Sequence, residues 1–206
     1  MVTDSLAAVL SACTGPLSDN IVAGLPQTRV GGELAQLLEQ TNGFIGFMSA
    51  LLVRGTGEEP GMLGNWNDPT GWRASYGHLA EGLFFFGEDI FGTQFALRGE
   101  HVVLFDPETG DCDVLGTSMQ DWAGYIMADW QANTGYHIAK QWQEVHGPLA
   151  IGQRLVPHKL FVLGGEFDIS NLKVVDDVPG MLARGPIAQQ LHEIPDGEHV
   201  TLSPGE

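Results

Sequence analysis

Cysteine is scarce in this sequence of 206 residues: Cys13 and Cys112 stand far apart and outside any C-x-x-C spacing. Neither a disulfide framework nor a zinc ribbon is encoded, and a reducing compartment suits the chain. Cations are scarce relative to anions, with nine Lys and Arg against 26 Asp and Glu and a formal net charge of −17. Affinity for DNA or RNA comes mainly from neutralising phosphates with Lys and Arg. These few cations are not clustered, so direct nucleic-acid binding is disfavoured. No apolar run reaches the roughly 18 residues of a membrane helix, so no membrane partner is expected. Leu10-Ser11-Ala12-Cys13 has the small-residue pattern that precedes a lipid-modified cysteine, but Asp4 stands where a signal peptide needs a cation. The apolar run over residues 6–10 is also shorter than the roughly 7–15 residues of a signal core, and a cytoplasmic location is the expectation.

Motifs for chemistry are missing as well. No G-x-S-x-G elbow presents a nucleophilic serine. Residues 55–61 are glycine-rich, but their spacing is not that of a phosphate loop, no Lys-Ser/Thr follows, and Glu58 and Glu59 would face the phosphate. Residues 106–111 place acids in a turn without the glycine position or the bidentate acid of an EF-hand calcium loop. His192-Glu193 followed by His199 misses the spacing of a zinc protease helix, and Pro195 interrupts it. The seven histidines are otherwise scattered. No catalytic residue, metal ligand or cofactor is predicted, and a chain of this size buries about 70 % of its unfolded surface without such a staple.

What the chain does contain is a set of short β-rich runs punctuated by turn residues. Residues 83–87, 93–98, 102–106 and 112–115 predict an antiparallel meander, with Arg98-Gly99-Glu100 and Pro107-Glu108-Thr109-Gly110 as hairpin connections. A helix is predicted over 32–41, where Leu34, Leu37 and Leu38 recur at helical spacing and Asn42-Gly43 supplies the stop. Residues 44–53 read as one buried strand, and residues 55–71 as a long loop carrying Trp66. Asp68-Pro69 is the expected cap of a short helix through Trp72 and Tyr76. Ser118-Met119-Gln120-Asp121 matches a capping box that opens a helix through about Trp130, and a second helix spans 134–146. Strands are then expected near 160–163, 171–175 and 198–202, with a helix over 181–192. Grouped strands flanked by helices indicate an α+β class with a central, mainly antiparallel sheet. Residues 1–30 read as a peripheral extension and residues 31–206 as one domain.

The anions concentrate along that meander, where Arg98 is the only Lys or Arg between residues 81 and 121. Strand alternation sends every second side chain to the same face. Glu88, Asp89, Asp106, Glu108, Asp111 and Asp113 are therefore expected on a solvent face or in turns, as an acidic patch for a basic protein partner. Tryptophan is enriched among binding hot spots, and Trp66 and Trp72, beside loop glycine and proline, are candidate anchors. Trp122, Trp130 and Trp142 sit at helical core spacings instead.

Five stretches carry a family likeness: residues 37–44; residues 82–95, containing Phe84-Phe85-Phe86-Gly87-Glu88-Asp89; Phe105-Asp106-Pro107-Glu108-Thr109-Gly110; Phe161-Val162-Leu163-Gly164-Gly165-Glu166 with Asn171-Leu172; and residues 189–197. In this order they resemble the SUKH superfamily of Smi/Knr-type domains, over about residues 32–202. The strand, the D-P-x-T-G turn and the L-G-G pattern also resemble the Tdi kind of type VI secretion immunity domain. The resemblance implies an α+β fold with a central twisted sheet. For many bacterial members it implies an immunity protein that binds and neutralises a polymorphic toxin, often a nuclease, and for some fungal members a regulatory scaffold in cell-wall signalling. It supplies no catalytic residues. The expectation is a non-catalytic protein that neutralises a basic toxin by binding it, with a regulatory scaffold and a small hydrolase as alternatives.

Overall fold

The computed structural model describes residues 4–194. Seven strands form one antiparallel sheet in sequence order: β1 Cys13–Thr14, β2 Phe44–Gly46, β3 Leu51–Val53, β4 Phe84–Asp89, β5 Gln94–Arg98, β6 His101–Phe105 and β7 Cys112–Gly116. A separate antiparallel pair joins β8 Gln153–Pro157 to β9 Leu172–Asp176. The helices are α1 Ser5–Ser11, α2 Arg29–Gln40, α3 Leu63–Trp66, α4 Met119–Ala128, α5 Trp130–Asn133, α6 Tyr136–His146 and α7 Asp177–His192, with a 3₁₀ segment over Trp72–Ala80. The α+β class and the antiparallel meander are as expected; the strand expected at 198–202 lies outside the described residues.

Alternation along the strands sends successive side chains to opposite faces, and here both faces are covered. Phe95 and Leu97 of β5 enter one core with Val9 of α1, Leu34 and Leu37 of α2, and Trp122 and Ile126 of α4. Ala96 of β5, with Val103 and Phe105 of β6, enters a second core with Trp66, Trp72, Tyr76, and Met181 and Ala188 of α7. A third core joins Ala139 and Trp142 of α6 to Leu155 of β8 and Leu172 of β9. The central strands are thus an inner layer, which accounts for their nearly continuous apolar runs. α7 lies tightly against the 3₁₀ segment, since a Cβ on Gly185 would sit 2.2 Å from Ser75 Oγ. Only glycine permits that approach.

Several local expectations are corrected. The expected peripheral extension, as far as it is described from residue 4, is not peripheral: Val9 is fully buried, α1 packs on α4, and β1 pairs with β2 at the sheet edge. Residues 44–53 form the hairpin β2–β3 and not one strand. Its loop holds Phe47, Met48 and Ser49 at φ of 50°, 54° and 68°, a left-handed run that costs on the order of 1–3 kcal/mol per residue. Phe47 stacks on Trp130 at 5.2 Å and Gln143 Nε2 donates to the Met48 carbonyl at 2.8 Å, which holds the turn in place. Residues 161–163 form a 3₁₀ turn instead of a strand. The strand belongs earlier, at β8, where the buried Arg154 breaks the apolar pattern that would announce it. α4 stops at Ala128, and Asp129 caps the short α5 by accepting from Ala132 N. Trp130 therefore begins a new helix.

Candidate functional site

Two polar constellations occupy the interior, and both begin at the end of β4. The register that opposes Glu88 to Gln94 places the two on one face of the sheet. Glu88 Oε2 accepts from Gln94 Nε2 at 2.6 Å, and Gln94 Oε1 accepts from Trp66 Nε1 at 3.1 Å. Arg54, one residue beyond β3, donates through Nη2 to Glu88 Oε1 at 2.6 Å and to Asp177 Oδ2 at 2.8 Å, and through Nη1 to the Gly61 carbonyl. Arg154 Nη2 lies 2.9 Å from the same Glu88 oxygen. Burial pushes the Glu88 carboxyl up, but Arg154, Arg54 and the Gln94 amide outweigh it and hold the group below the usual carboxylate range. This is a charge-balanced structural hub: two guanidiniums face the carboxylates of Glu88 and Asp177, one from the sheet and one from the start of α7.

The second constellation lines a cavity of about 390 Å³. Its floor is built by two turns. In the β4–β5 turn, Asp89 Oδ1 accepts from Phe91 N at 2.8 Å and Thr93 N at 2.9 Å. In the β6–β7 turn, Asp106 Oδ1 accepts from Glu108 N at 2.7 Å. Glu108 then reaches across to the 161–167 loop, where its Oε2 accepts from Val162 N at 2.9 Å. Its other oxygen, Oε1, is buried and has no hydrogen-bond partner among the described residues. Burial raises the carboxyls of Asp89, to about 7, and of Asp106 and Glu108. Phe161 and Phe167 form one wall, stacked at 3.9 Å and 6°, with Phe91 edge-on to both. Arg184 closes the inner end, donating to the carbonyls of Gly180 and Phe91.

The six predicted anions are thus divided, and do not form one solvent-facing patch. Glu88 is fully buried in the hub; Asp89, Asp106 and Glu108 meet in the cavity; Asp111 and Asp113 remain exposed on the β6–β7 turn and the edge strand β7. Trp66 and Trp72 are not surface anchors. They are 0 % and 2 % exposed, and Trp72 packs against Trp66, Tyr76 and Phe85 in the second core. The aromatic pair at the cavity, Phe161 and Phe167, was not foreseen. Its signal is a phenylalanine on either side of Gly164-Gly165, where glycine argues for a loop and an apolar ring for an anchor. Arg184, on a helical face like any core-adjacent residue, leaves no comparable signal.

Among the described residues, no group of three or more His, Cys, Asp and Glu could hold a metal ion, and no helix is long and apolar enough to cross a membrane. No protein-family model matches the sequence, and no curated protein matches it. Among solved structures the chain is similar to the crystal structure of Atu4351 from Agrobacterium tumefaciens, with 12 % identity and a TM-score of 0.52. The likeness covers 90 % of this chain and 81 % of that one. At this identity it speaks for the fold alone: the α+β arrangement is one that a protein of unrelated-looking sequence also adopts.

Proposed function

We propose that this protein acts by binding a basic protein, as an immunity protein of the SUKH or Tdi kind that occludes a toxin in the cytoplasm. The observation that carries this reading is the distribution of cations. Arg54, Arg154 and Arg184 are buried and Arg73 is half-buried, so Arg29, Arg98, Lys140, Lys159 and Lys173 are the Lys and Arg side chains left exposed. The buried anions Glu88, Asp89 and Glu108 offset the three buried guanidiniums, so the surface keeps the full acidic excess of the sequence. A field of this sign speeds encounter with a basic partner and disfavours acidic ones. The family resemblance adds that such a partner is a toxin, neutralised without chemistry.

The test is capture of the partner by the tagged protein from lysate of its own source, followed by co-expression of the captured protein with and without this chain. A basic partner whose lethality is suppressed in stoichiometric complex supports the proposal; capture of none, or of acidic partners alone, overturns it. A second reading, a small hydrolase, draws on the Asp89 carboxyl, which burial raises to about 7, close to the ideal for a general base at neutral pH. Against it, Asp89 Oδ1 already accepts from two backbone N–H groups that shape its turn.

A further inference from the structure

The cavity beside Phe161 and Phe167 has a chemistry of its own. Its walls carry three carboxyl groups, from Asp89, Asp106 and Glu108, against a single guanidinium, that of Arg184. Arg184 forms no direct ion pair with them, although its charge pulls the carboxyls of Asp106 and Glu108 down: Nε and Nη1 are engaged by the carbonyls of Gly180 and Phe91, and Nη2 lies by the Met181 sulfur. The ion pairs of the neighbouring interior converge on Glu88 and Asp177, leaving these three carboxyls aside. Glu108 is only 4 % exposed, and its Oε1 makes no hydrogen bond of normal geometry among the described residues, with the Phe161 N–H acting on the carboxylate only from nearby. A buried acceptor without a donor is costly, and a donor brought by a ligand removes that cost. The rim is apolar and accessible, with Phe167 64 % and Val162 48 % exposed. Stacked aromatic faces beside carboxylates are the environment that a planar guanidinium occupies best, by stacking and by charge-assisted hydrogen bonds.

We propose that this cavity is the socket for one arginine side chain of the partner protein, whose guanidinium stacks on Phe167 and donates to Glu108 Oε1. The socket rests on the reading of this chain as a binder of basic proteins and assigns the contact that reading leaves open. The acidic field brings the partner in, and the socket sets its register. Entry needs no rearrangement of the hub, because the ion pairs of Glu88 with Arg54 and Arg154 involve none of the three cavity carboxyls.

The experiment is an NMR titration of the isolated protein with N-acetyl-arginine N-methylamide, and with the neutral citrulline and the ammonium-bearing lysine analogues as comparisons. The Val162 amide, which donates to Glu108 Oε2, is the reporter. The expected result is saturable movement of the Val162, Phe161 and Phe167 signals by the arginine probe alone. Affinity should fall about fivefold in F167A, a substitution at an exposed ring, and about tenfold in E108Q. Equal movement by the citrulline analogue, tighter binding of the lysine analogue, or an unchanged affinity in folded F167A overturns the proposal. The titration needs no partner. If the probe fails while a basic toxin is still captured, the socket falls and the immunity reading stands; if the probe binds and no basic partner is captured, the reverse holds.

Discussion

Arg54 Nη2 approaches Glu88 Oε1 to 2.6 Å with the two side chains 1 % and 0 % exposed. An ion pair so fully withdrawn from water gains in Coulomb attraction roughly what it loses in desolvation, but removing one partner strands the other charge. Glu88→Gln leaves Arg54 with Asp177 and Arg154 with no carboxylate at hydrogen-bonding distance. We expect E88Q to lose about 3–5 kcal/mol of stability, measured by urea denaturation. A loss below about 1 kcal/mol, the range of an exposed ion pair, would show that water reaches the hub.

Asp89 sets a pH dependence of opposite sign. Burial raises its carboxyl from 3.8 to about 7, against the pull of the Thr93 and Phe91 N–H groups and of Arg154. The folded pKa lies above the unfolded one, so the folded state holds the proton more tightly. The stability this contributes is complete below about pH 4 and is lost as pH rises through about 7. D89N keeps a carbonyl oxygen for the two backbone donors. Wild type should lose stability relative to D89N from about pH 4 to about pH 7 in denaturation curves, with no further loss above; parallel curves would mean that Asp89 does not titrate in this range.

The N-terminal segment offers a test of integration. Val9 is fully buried between α1 and the core beneath the sheet. V9A should cost about 1–3 kcal/mol by lost burial and a residual cavity. In a tail that merely rests on the domain the same change stays within about 0.5 kcal/mol.

Asp111 and Asp113 are the two predicted anions that stay in solvent, the Asp111 side chain at 66 % exposure. Reversing both to Lys should leave the denaturation midpoint nearly unmoved, within about 0.5 kcal/mol, and slow association with the captured partner, an effect that weakens with added salt. Unchanged association rates would place the steering charge elsewhere on the surface.

The meander and α2 were legible because they depend on neighbours: turn residues at Gly99 and Gly110, both at positive φ, and leucines at helical spacing. The β2–β3 turn was hidden because Phe47, Met48 and Ser49 carry no glycine to announce it; a stack on Trp130 and a bond from Gln143, far along the chain, hold it. Of the candidate site, the sequence marks three of the cavity's anions, Asp89, Asp106 and Glu108, but as members of a surface patch. Trp66 and Trp72 were misplaced for a related reason. A loop tryptophan looks available until the helix that covers it, α7, is folded into place.

The amino-acid sequence by itself determined the class, the central antiparallel meander and the excess of anions, since these follow from composition, local periodicity and turn chemistry. Only the tertiary structure decided which charges meet water. The partners of Glu88 come from the residue after β3, from β5 and from β8, and the walls of the cavity from turns and helices spread from Asp89 to Arg184. Burial and pairing depend on distance in space, and for residues that far apart along the chain distance in space is a property of the fold.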